Sequence, residues 1–173
     1  MADRIIAGLG AIAAILFFSA CARIPAEGTV QVQFSDHRDA IGDFSRLEAK
    51  IKGVSLHSTQ ARDWVDLKVQ DPVIDLTQLE GDNFKQVLEQ RVPADRYDAI
   101  RVDLTDVRGS LVSGEEVALD DFSSAARLEF ELEVGKTATL MVDLKVQSEH
   151  DHSGGGYVLI LRETREVDHN STE

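Results

Sequence analysis

The chain has 173 residues and a formal net charge of −13, from 31 Asp and Glu against 18 Lys and Arg. Such a surface repels phosphate backbones, which argues against nucleic acid as a partner. There is a single cysteine, Cys21, so an internal disulfide framework is excluded.

The N-terminal segment reads as a leader. Arg4 and the terminal amine give a weakly positive start, and Ile5 to Phe18 is an apolar run of 14 residues. A membrane-spanning helix needs about 20 residues, so this length fits a signal-peptide core better. The run ends in Phe18-Ser19-Ala20-Cys21. That segment resembles the lipobox of bacterial lipoproteins, with Phe18 in place of the usual Leu. The resemblance implies a signal peptide over residues 1–20 and a covalent lipid on Cys21 as the first mature residue. Ala22 follows; in Gram-negative lipoproteins a residue other than Asp there implies the outer membrane. The expected location is the cell envelope, lipid-anchored and facing the periplasm or the cell exterior. An ordinary secretory leader cut elsewhere and an uncleaved signal anchor are the alternatives.

The mature part begins with a short tether, residues 21–27. Ala22 to Glu27 spans at most about 20 Å when extended, so the domain is expected to sit close to the bilayer. Alternation of apolar and polar residues, the signature of half-buried strands, then runs through most of the chain. Val30, Val32 and Phe34 form the first apolar set, and Ser35 to Asp39 reads as a polar loop. Leu47, Ala49 and Ile51 form the second set. The alternation then slips to Val54 and Leu56, which predicts a β-bulge at Lys52-Gly53.

Val65, Leu67 and Val69 make a third strand, with Trp64 in the opposite phase and therefore partly exposed. Val73 to Leu76 is a short strand. Asp82-Asn83 is placed to cap one short helix through Val92, with Phe84, Val87, Leu88 and Val92 at helical spacing, and Pro93 ends it. Tyr97 to Val107 is a long strand with Ile100, Val102 and Leu104 on one face. Val117 to Leu119 is a short one.

Leu128, Phe130, Leu132 and Val134 alternate with Arg127, Glu129, Glu131 and Glu133. Leu140, Val142, Leu144 and Val146 follow. A hairpin around Gly135 would place Phe130 opposite Leu140, Leu128 opposite Val142 and Arg127 opposite Asp143. Gln147 to Gly156 is a polar, Gly-rich loop, Tyr157 to Val167 is the last strand, and residues 168–173 are a polar tail. The pattern predicts an all-β fold over residues 28–167. It is a two-sheet antiparallel β-sandwich of eight or nine strands with one short helix, preceded by the signal segment.

Three segments carry a wider resemblance: Gly28-Thr29-Val30-Gln31-Val32, Val54-Ser55-Leu56-His57, and Val92-Pro93-Ala94-Asp95-Arg96-Tyr97-Asp98-Ala99-Ile100-Arg101-Val102. They resemble a bacterial envelope family known only as a domain of unknown function, often lipoprotein-anchored. Its members usually show Pro-Ala-Gly-x-Tyr-x-x-Ile-Arg. The resemblance implies a transthyretin-like sandwich and no catalytic residues. Asp95 stands where the family has Gly, and Asp tolerates the left-handed backbone such a turn would need. Tyr97 reads as a core or corner residue whose hydroxyl caps backbone.

Candidate chemistry is sparse. Glu149-His150-Asp151-His152 offers imidazoles and carboxylates for a divalent metal, although three glycines follow and a solvated loop is the plainer reading. His37 and Asp36 would add ligands only if the fold brought them there. His57 reads as a structural histidine at a strand end. Trp64 is a candidate platform for a ligand, and Glu129, Glu131 and Glu133 form an acidic ladder that would suit a basic partner. Ser110 and Ser113 lie in turn-like segments, not in a nucleophile elbow. These features point to no catalytic residue and no cofactor beyond the lipid on Cys21. The expected function is non-catalytic binding or scaffolding at a membrane surface, with an envelope or membrane protein as partner. Two alternatives stand beside it: an extrinsic accessory subunit of an integral membrane complex, and a metal-binding protein using His150 and His152.

Overall fold

The structure is a computed structural model, and it describes residues 26–37, 40–81, 83–149 and 156–167. Among these residues ten strands form two sheets that pack around one core. The strands are β1 (Glu27–His37), β2 (Phe44–Ser58), β3 (Asp63–Leu67), β4 (Val73–Asp75), β5 (Lys85–Pro93), β6 (Arg96–Leu111), β7 (Glu116–Ala118), β8 (Phe122–Glu131), β9 (Thr137–Glu149) and β10 (Gly156–Glu166). One sheet has the order β10-β9-β1-β5. The other runs β3-β2-β6-β7, with β4 also on β2 and β8 also on β6.

The core follows from the alternation. Val30, Val32 and Phe34 of β1 and Leu140, Val142, Leu144 and Val146 of β9 point inward from the smaller sheet, and all are fully buried. Leu47, Ala49, Val54 and Leu56 of β2 and Ile100, Val102 and Leu104 of β6 meet them from the larger one. The predicted slip in β2 is present: Ile51 pairs with Leu104 but Gly53 pairs with Asp103, so one residue bulges between them. The bulge returns Val54 and Leu56 to the core face, since side chains of a strand alternate with a period of two.

Five expectations are corrected. Ser35 to His37 continue β1 instead of starting a loop, and Asp36 lies buried at 2% exposure. The helix expected through Val92 is β5, paired antiparallel with β1. The register shifts there, with Val32 opposite Leu88 and Gln33 opposite Gln86. Val87 is therefore an extra residue, and both Val87 and Leu88 are buried. Two adjacent inward residues followed by Val92 imitate helical spacing, and the pairing needs of β1 override the helix-forming side chains. The helical turns among the described residues are two short 3-10 turns, Ala40–Asp43 and Leu76–Gln78.

The hairpin around Gly135 is also absent. β8 pairs with β6 in the larger sheet, while β9 lies between β1 and β10 in the smaller one. Leu132 to Lys136 is thus a crossover between sheets. Because the crossover enters the smaller sheet at the end where β1 begins, β9 runs parallel to β1, and the sandwich is mixed rather than wholly antiparallel. Finally, Ser110 belongs to β6, not to a turn.

Candidate functional site

The outer face of the larger sheet carries a connected network of polar and ring contacts. Side chains at alternate positions of β3, β2, β6 and β8 line up in rows across it. One row is Trp64, His57, Ala99 and Arg127; the next is Asp66, Ser55, Arg101 and Ala125. The small residues Ala99 and Ala125 leave space around the long side chain of Arg101.

Trp64 is half-buried, as its phase predicts. The guanidinium of Arg101 lies 4.6 Å from the centre of its ring, a cation–π contact. The ring of His57 sits 5.3 Å away on the neighbouring strand, tilted by 60°. His57 is held by a 2.7 Å contact between its Nδ1 and Asp98 Oδ1. Arg101 donates from Nη2 to Ser55 Oγ at 3.3 Å, and Ser55 in turn donates to Asp66 at 2.7 Å. The Nε of Arg101 is buried without a hydrogen-bond acceptor, with Asp103 Oδ2 3.9 Å away.

The serine hydroxyls of this face and its neighbourhood are engaged in hydrogen bonds. The hydroxyl nearest in row to His57, that of Ser55, is committed to a carboxylate. Ser110 donates to Glu116 at 2.5 Å, and Ser113 accepts from the backbone of Glu115 in a turn.

Two of the three glutamates of the ladder are paired with arginines. Glu129 takes a hydrogen bond from Arg127 Nε at 3.0 Å, and Glu131 takes one from Arg96 at 3.2 Å. Glu133 lies beyond the end of β8. Trp64 and Glu129 share one sheet face but stand on β3 and β8, with β2 and β6 between them, so they do not form a single contact site.

Below this face, at the end where β1 starts, lies an open cleft of about 520 Å³. Thr59, Arg96, Glu131 and Val134 are among its walls. Its floor is a clasp of three turns. Ser58, buried, donates to the carboxylate of Asp95, which also accepts from the backbone N–H of Arg96 at 2.6 Å. The carbonyl of Asp95 accepts from Leu132 N at 2.9 Å, and Ala94 N donates to Ala26 O at 2.8 Å.

Asp95 is absent from the non-glycine residues with positive φ, which are Arg62 and Asp106. Its part is thus carboxylate chemistry, not tolerance of left-handed backbone, and this clasp is a feature the sequence reading missed. Beside it the hydroxyl of Tyr97 donates to Pro93 O at 2.8 Å, as a corner tyrosine should. Its ring stacks on Phe130 at 5.1 Å. Burial, with Asp95 adding to it, pushes the phenol up to about 12.

Cys21 and His150 to His152 lie outside the described residues, and of Glu149 only the backbone is described. Among the described residues no group of three or more His, Cys, Asp or Glu could hold a metal ion. Asp36 lies beside the Leu79–Glu80 segment, its backbone N donating to Leu79 O at 3.2 Å.

No curated protein and no solved structure matches the chain. One family does, over residues 27–160, a stretch that runs from the first residue of β1 into β10 and takes in the sheet face, the clasp and Tyr97. The chain belongs to that family, the domain of unknown function DUF4382.

Proposed function

We propose that this chain is a lipid-anchored envelope protein whose β-sandwich is a non-catalytic binding or scaffolding module held at a membrane surface. One observation carries the reading. Ala26 is already fixed to the domain through Ala94, and only five covalent steps separate it from Cys21. At about 3.5 Å per step the lipidated residue stands no more than about 18 Å from the fold. A domain on so short a lead works next to its membrane, on partners that are themselves in or at that membrane.

The charge pairing on the larger sheet supports binding over catalysis. With Arg127 on Glu129 and Arg96 on Glu131, the face offers shape and hydrogen bonding beside its charge. The same short lead favours a second reading, an extrinsic subunit seated on an integral membrane complex. Replacing Cys21 with Ala tests the anchor: the variant is expected in the soluble fraction, and its retention in washed membranes would overturn the lipid reading. Crosslinking in intact cells followed by mass spectrometry separates the two functions. A single stoichiometric membrane-protein partner that survives mild detergent identifies a subunit, and several substoichiometric partners identify a module.

A further inference from the structure

The anchor reading leaves open which part of the sandwich meets the membrane. The strand ends decide it. β1, β6 and β9 begin at the same end of the sandwich, and β2, β5 and β8 finish there. Ala26 is pinned at this end by Ala94 N, and Glu27 O accepts from Gly135 N at 2.8 Å. The first described residue is therefore part of the clasp itself, not of the sandwich's side or far end.

Charge points the same way. The chain as a whole carries −13. The segments that make this end, residues 26–29, 58–63, 91–96 and 131–136 with Glu166 at the finish of β10, hold six acids and four bases, a balance of 4 − 6 = −2. Two of the pairs are in contact, Arg91 with Glu27 at 3.3 Å and Arg96 with Glu131 at 3.2 Å. An end with so small a share of the charge, and with two ion pairs in contact, approaches a bilayer with less repulsion than a strongly acidic part of the surface.

At its apex is the turn Glu133–Lys136, closed by Lys136 N donating to Glu133 O at 3.1 Å, with Gly135 at φ +72°. Val134 is the corner residue and is 64% exposed. Exposure alone is no argument, since Val112 at the opposite end is 71% exposed. What distinguishes Val134 is its place: Gly135, its neighbour, is bonded directly to the residue after Ala26.

We propose that the end formed by the Pro93–Arg96 and Glu133–Lys136 turns faces a zwitterionic bilayer, with Val134 at the headgroup level. This rests on the anchor reading and gives it a direction. The sandwich then stands on its end. β6, sixteen residues long, leads away from the membrane for roughly 40–50 Å at about 3.3 Å per residue, and the Trp64–Arg101 face rises beside it.

The test uses the full chain carrying its lipid, in vesicles of phosphatidylethanolamine and phosphatidylcholine. Val134→Cys and Val112→Cys are each labelled with a small fluorophore, the sulfur of Cys21 being blocked by its lipid. Nitroxides on the lipid headgroups quench only at contact-scale distances. The label at 134 is expected to be quenched several-fold more strongly than the label at 112. If the protein floats with the vesicles but both labels are quenched equally, or the one at 112 more, the orientation is overturned and the anchor stands. If the protein does not float with the vesicles, the anchor reading falls and the orientation with it.

Discussion

The hydroxyl of Tyr97 donates to the carbonyl oxygen of Pro93 at 2.8 Å, spanning the turn between β5 and β6, and so between the two sheets. Replacing Tyr97 with Phe keeps the stacking on Phe130 and strands that carbonyl. A cost of about 1–2 kcal/mol is expected in urea unfolding at neutral pH. The folded protein holds the phenol proton up to about 12, whereas the unfolded chain releases it near its usual value of 10. The stabilisation from the buried phenol is thus complete below pH 10 and drains away as pH rises toward 12. The stability gap between the native chain and Tyr97→Phe should shrink over that window.

Asp95 ties the β2–β3 turn to the β5–β6 turn through the buried hydroxyl of Ser58. Asp95→Ala leaves that hydroxyl and the N–H of Arg96 without their acceptor. A loss of about 2–3 kcal/mol is expected, and because both turns loosen together, Ser58→Ala in the same background should cost much less than it does alone. Additive losses would show that the two residues act separately.

Gly109 sits opposite Leu47 where β6 crosses β2. A methyl group there would lie 2.3 Å from the carbonyl oxygen of Arg46 and 3.0 Å from Leu47 Cα, both backbone atoms. Gly109→Ala is expected to destabilise by about 2 kcal/mol or more. Gly42, with nothing within 4 Å of the added carbon, is the control; Gly42→Ala should stay within about 0.5 kcal/mol of the native chain.

The crossover after β8 is testable by disulfide trapping in a Cys21→Ala background. Ala99 and Arg127 are register partners on β6 and β8. Antiparallel neighbours bring Cα atoms to about 4.5–5.5 Å, within reach of a disulfide. Ala99→Cys with Arg127→Cys should oxidise within one molecule, and Arg127→Cys with Asp143→Cys should not. Intramolecular oxidation of the second pair would restore the Gly135 hairpin.

The sheet face illustrates how far local pattern reaches. The phase of Trp64 against Val65 and Leu67 places its ring on the wet side, and His57 and Arg101 share that side for the same reason. What the ring meets there depends on β2 lying between β3 and β6, which no spacing along the chain encodes. Arg127 is a sharper case. Its outward phase is legible, but its partner is Glu129 of its own strand, while Asp143 is taken by Arg162 at 2.6 Å in the other sheet.

The sequence by itself determined the all-β character, the inward set of nearly every strand, the bulge at Lys52-Gly53 and the backbone-capping duty of Tyr97. Each of these is written within a few residues, in a period of two or a break in it. Only the tertiary structure decided that β8 crosses to β6, that β9 runs parallel to β1, that Val87 and Leu88 share a bulge in a strand, and that Ser58, Asp95 and Ala26 meet in one clasp. Apolar strands of equal length complement one another almost interchangeably. Partner choice is therefore settled by the packing of the whole core and the closure of its turns.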